Sequence, residues 1–64
     1  MATPRADHDR AVRALTHLDG EAATWVAHAA ALHGADDIID ALLEALPEDA
    51  AAIRGAALLG HQGA

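Results

Sequence analysis

The chain has 64 residues, room for one small domain, and 19 of its 34 hydrophobic residues are alanine. Ten acidic residues against four arginines give a formal charge of −6, which repels phosphate backbones and anionic lipid. With no cysteine, disulfide frameworks, thiolate zinc sites and cysteine nucleophiles are excluded.

In chain order, the pattern predicts four short helices and no strand, at about 4–18, 20–33, 36–46 and 47–59. The β-branched aliphatics form no alternating run, and Phe and Tyr are absent. Thr3 can cap the first helix, and Pro4 suits its first position because the missing N–H would be unpaired there anyway. Ala11, Val12, Leu15 and Leu18 then share one face. Asp7, Asp9, Arg10, Arg13 and His17 fall mainly on the other, with Asp9 and Arg13 spaced for an ion pair.

Asp19-Gly20 interrupts this pattern, and Asp19 can cap the second helix, with Glu21 near its positive end. Ala22, Trp25, Val26, Ala29, Leu32 and His33 make its expected apolar face, and Glu21, Thr24 and His28 its polar stripe. Trp25, the one aromatic residue, is expected as a core anchor. The alternative is an exposed anchor for a partner, since tryptophan is enriched among interface hot spots. Gly34 supplies a left-handed stop.

Asp36 and Asp37 open the third helix, where either can cap. Ile38, Ile39, Leu42, Leu43 and Leu46 give it the densest large-aliphatic surface in the chain. Leu42 and Leu46 lie on the Ile38 row, and Leu43 on the Ile39 row, displaced by about 100° around the axis. That stripe is wider than one alanine-rich neighbour covers. One row is therefore expected to face the core and the other to be buried only on association. Pro47 ends this helix and starts the fourth, with Glu48 and Asp49 in its first turn. Ala50, Ile53, Ala57 and Leu58 continue the apolar pattern, Gly60 is expected to stop it, and the tail 60–64 to fray. Ala51, Gly55 and Leu59 share a stripe. A mid-helix glycine costs about 1 kcal/mol against alanine, so Gly55 is read either as a close helix crossing or as a tolerated surface residue.

The five histidines invite a metal or acid–base reading, but none of them pair at four-residue spacing on one helix. Solvated or capping histidines are the plain reading, and a site drawing on His28, His33, Asp36 and Asp37 the sharper one. The acidic group Asp36, Asp37 and Asp40 lacks the ligand alternation of a calcium loop. Serine is absent, and Thr24, one turn before His28, has no evident oxyanion hole. Phosphate-cradling glycine loops are missing too, so catalysis is not expected and no cofactor is implied. No apolar run reaches the roughly 18 residues of a membrane span. Only Arg5, Arg10 and Arg13 form a local basic group, so neither nucleic acid nor membrane is an expected partner. The first residues carry charge and lack an apolar signal core, which makes the cytoplasm the default location.

The run 38–49, an aliphatic helix followed by Pro47-Glu48-Asp49, loosely resembles helix–Pro-Glu-Asp–helix segments in docking regions of bacterial modular synthases, and no residue role is carried over from it. The sequence thus predicts a single all-α domain over residues 1–64, a small bundle of three to four short helices completed by oligomerisation or a partner. Its expected function is that of a non-catalytic interaction module, whether accessory subunit, docking or small regulatory protein, that binds itself or a larger protein. Trp25, Ile38, Ile39, Leu42, Leu43, Leu46 and Gly55 are the candidate partner-binding residues. A histidine/carboxylate metal-binding protein is the alternative.

Overall fold

A computed structural model describes residues 4–63, with side chains from residue 6 onward. The expected Thr3 cap and the side chain of Arg5 lie outside that description. Four α-helices are present among the described residues and no strand: α1 (Pro4–Leu15), α2 (Gly20–Leu32), α3 (Asp36–Ala45) and α4 (Ala50–Gly63). A 3₁₀ turn at Pro47–Asp49 leads into α4.

Local chemistry sets most of the boundaries. α1 closes at Leu15, three residues short of expectation. The Thr16 hydroxyl donates back to the Val12 carbonyl at 2.7 Å, and the Leu18 N–H donates to the Leu15 carbonyl at 3.0 Å, which tightens the last turn. Asp19 caps α2 as predicted, its Oδ1 accepting from the Ala22 N–H at 2.7 Å. Gly34 ends α2 at φ +72°. Its N–H donates to the Ala31 carbonyl at 3.2 Å and the Ala35 N–H to the Ala30 carbonyl at 2.8 Å, a Schellman pairing that satisfies the orphan carbonyls. Ala35, not Asp36 or Asp37, is the capping residue of α3, and it offers no side-chain bond. The two aspartates sit instead in the first turn, where the helix dipole favours negative charge. On α1 the ion pair is Arg10–Asp7 at 3.9 Å, one turn earlier than the Asp9–Arg13 pair expected.

α2 packs chiefly on α4, α1 packs on α3, and α3 touches both α2 and α4. The Cα envelope measures 35 × 23 × 14 Å. Its shortest dimension equals one interaxial separation of ~8–10 Å plus a Cα radius of ~2.3 Å on either side, so the molecule is two helices thick. Every helix therefore keeps an outer face.

The core is correspondingly lean. Leu42 and Ile53 are its largest fully buried side chains, joined by Ile39 and by six alanines, of which Ala23, Ala27, Ala30 and Ala31 come from α2. These four recur at positions i, i+4, i+7 and i+8, one helical stripe. The apolar face of α2 is thus its alanine stripe, not the face with Trp25 and Leu32.

α2 and α4 run parallel, since Gly20 lies beside Asp49 at one end and Leu32 beside Gly63 at the other. Their crossing closes at Gly60, where an added Cβ would sit 2.5 Å from the His28 carbonyl oxygen and 2.7 Å from Ala31 Cβ. Gly60 is therefore the close-approach glycine and not a stop, and α4 runs three residues past it. Gly55 faces open space, so within the chain it is the tolerated surface residue of its two readings and not the crossing.

Candidate interaction surface

The α3 residues predicted to bind a partner are mostly consumed by the fold. Leu42 is fully buried and Ile39 is 9% exposed. Ile38 and Leu43 are half-buried against both halves of the core, and Leu46 is half-buried against the half built on Leu42 and Ile53. Both aliphatic rows of α3 are covered from inside the chain, because α1 packs against one flank of this helix while α2 and α4 take the other. The expectation that one row stays open for association is therefore corrected.

The open apolar surface lies on the outer side of α2 and α4. Trp25 is 70% exposed, Leu59 62%, Leu58 57% and Leu32 41%. Trp25 is thus no core anchor, and Leu58 does not join the core. On α2, residues Glu21, Trp25, His28 and Leu32 recur at four- and three-residue steps and form a stripe opposite the buried alanines. On α4, the stripe Ala51, Gly55 and Leu59 is exposed throughout, so it makes no crossing within the chain. Between the two helices Thr24, Trp25, His28, Ala56 and Leu59 line a shallow groove of about 200 Å³. That is below the ~300 Å³ at which ordinary small-molecule sites begin. Among its lining groups the Thr24 hydroxyl is already engaged, donating to the Glu21 carbonyl at 2.7 Å.

A second hollow, about 430 Å³, opens between α1 and α3 and is lined by Asp7, His8, Ala11, Asp37 and Ile38. The chemistry there is an ion pair. His8 Nε2 donates to Glu44 Oε2 at 2.5 Å, joining α1 to α3. That hydrogen bond, with the charges of Glu44, Asp9 and Asp40, raises the His8 pKa above its ordinary 6.5 despite partial desolvation. At the other end of α3, His61 Nε2 lies 3.6 Å from Asp36 Oδ1 and ties α4 to α3. Both pairs are surface struts between helices.

His28, His33, Asp36 and Asp37, the residues of the metal alternative, do not converge. His28 borders the α2–α4 groove, His33 is exposed at the end of α2, and the aspartates are exposed at the start of α3. Among the described residues no three His, Asp or Glu side chains meet in a ligand set.

The sequence reading missed Leu32 and Leu58 as exposed residues and Gly60 as the crossing. The signal was the alanine row of α2. Four alanines at helical spacing can be buried only against a close neighbour, which turns Trp25 outward.

Fold and surface together define a small all-α protein of four helices with an apolar outer face on α2 and α4. No helix among the described residues is long and apolar enough to cross a membrane. No protein-family model, curated protein or solved structure matches the chain.

Proposed function

We propose that the protein is a non-catalytic protein–protein interaction module that works through the outer face of α2 and α4. The observation that carries this reading is the exposure of Trp25 beside Leu59 on the two helices whose inner faces pack most closely. A large aromatic held in water by a rigid helix, with a leucine beside it, is the composition of an interface anchor. Single exposed leucines are ordinary on monomers, but a tryptophan left 70% exposed beside an exposed leucine marks an interaction site. The partner is a second copy or a larger protein.

The test is the size of the particle in an extract of the native host. The chain itself has a mass of 6.5 kDa. It should run as a larger species, and Trp25→Asp or Leu59→Asp should return it to its own mass with helicity intact. Migration at monomer mass in the extract, with the purified chain also monomeric up to about 1 mM, would end the reading.

A further inference from the structure

We infer that the outer α2–α4 face is the interface of an antiparallel homodimer whose two-fold axis passes beside Trp25. The inference rests on the interaction reading above and specifies its partner.

Charge distribution selects a second copy. Of ten acidic residues, α2 and α4 hold only Glu21 within their spans, with Asp19 and Asp49 at the end where the two helices begin. The net −6 is carried by the rest of the chain. A basic partner would be drawn to the acidic α1–α3 side, and nothing on the α2–α4 face would steer it there. Two identical chains repel least where acidic side chains are fewest, and beyond its starting end this face carries only Glu21. Arg54 stays clear of the groove, because it shares a row with His61, which turns toward Asp36 on α3.

The α2 stripe is also self-complementary. Glu21 and His28 are seven residues, or about 10.5 Å, apart on one row, and their midpoint falls between Thr24 and Trp25. A two-fold axis through that midpoint, perpendicular to the helices, sets the two α2 helices antiparallel. Glu21 of each copy then faces His28 of the other, and the two Trp25 rings meet at the centre. A parallel arrangement would set Glu21 over Glu21. Antiparallel helices oppose their dipoles as well. On the flanks, Gly55 and Ala56 present no bulk to hold the copies apart, while Leu59 is positioned to cover the tryptophan.

The size of the face fixes the kind of dimer. Helices of 13 and 14 residues are about 20 Å long and together about 20 Å wide. Such a pair buries on the order of 1,000 Å² in total, at the low end of specific interfaces, so the complex should dissociate on dilution.

The purified chain, followed by sedimentation equilibrium from about 1 µM to about 1 mM, a span typical of small interfaces, tests this directly. The mass should rise from 6.5 kDa toward twice that value. Emission from Trp25, the only tryptophan, should shift to the blue in step. Leu59→Ser should remain monomeric with unchanged circular dichroism. Glu21→Lys and His28→Glu should each weaken self-association at least tenfold, whereas an equimolar mixture of the two should recover a dimer, since one copy's lysine then faces the other's glutamate. A parent chain that stays monomeric throughout overturns the homodimer. So does association that neither Leu59→Ser nor the charge pair alters. If the purified chain is monomeric but runs as a larger, Trp25-dependent particle in the host extract, only the homodimer falls; monomer mass in both removes the interaction reading too.

Discussion

Gly60 is fitted against the backbone of His28, so that a single added carbon would lie 2.5 Å from its carbonyl oxygen. The next neighbour on the same helix is Ala31, whose Cβ would be 2.7 Å away, and neither group has a flexible end that could yield. Gly60→Ala should therefore destabilise the protein by about 1–3 kcal/mol, as overpacking does. At Gly55, where nothing lies within 4 Å, the same change should stabilise by about 0.4–1 kcal/mol through helix propensity and a less flexible unfolded chain. Urea melts of the two variants should move in opposite directions.

Truncations should sort the leucines by burial. Leu42→Ala removes one of the two largest fully buried side chains and should cost about 2–5 kcal/mol, enough to unfold a domain of this size. Leu43→Ala, half-buried against both halves of the core, should also lower the melting temperature, by less. Leu59→Ala should change monomer stability by no more than about 0.5 kcal/mol. Circular dichroism melts at low concentration separate the three.

Asp19 offers a local test of the α1–α2 junction. Asp19→Ala leaves the Ala22 N–H without its 2.7 Å acceptor and should destabilise by about 1 kcal/mol. Asp19→Asn should retain most of the stability because its side-chain oxygen still accepts. Thermal unfolding of both variants checks the difference.

The His8–Glu44 strut makes stability depend on pH. Because the folded state holds the His8 pKa above 6.5, the folded state binds this proton more tightly than the unfolded chain. Its contribution is fully present below 6.5 and is lost as pH rises through the raised folded value. The difference in melting temperature between the parent and His8→Gln should thus be small well above the raised folded value and grow as pH falls to 6.5. Both side chains are partly open to solvent, at 34% and 59%, so added salt should reduce the effect. Glu44→Gln should remove most of the same pH dependence, leaving the smaller part due to Asp9 and Asp40.

Much of the fold was legible from residue types alone. Asp19 as a cap, Gly34 as a left-handed terminus and Pro47 as a helix breaker act within a few residues of themselves. Helix existence and order follow from such signals without reference to the rest of the chain. The direction in which each helix turns is a different kind of property. Periodicity marked Trp25 and Leu32 as the apolar side of α2 because they are the larger hydrophobes. Burial, however, follows the distance between axes, and the contact that Gly60 permits is so close that only alanines fit into it. Likewise, the two aliphatic rows of α3 could be counted in the sequence but not assigned, since their fate depended on α1 reaching across to cover one of them. The number of the helices and several of their ends were thus determined by local sequence chemistry, whereas the end of α4, which runs past Gly60, was not. Which apolar residues stay in water, and hence where a partner can bind, was decided by tertiary packing, because a two-layer molecule buries the faces that approach most closely rather than those that are most hydrophobic.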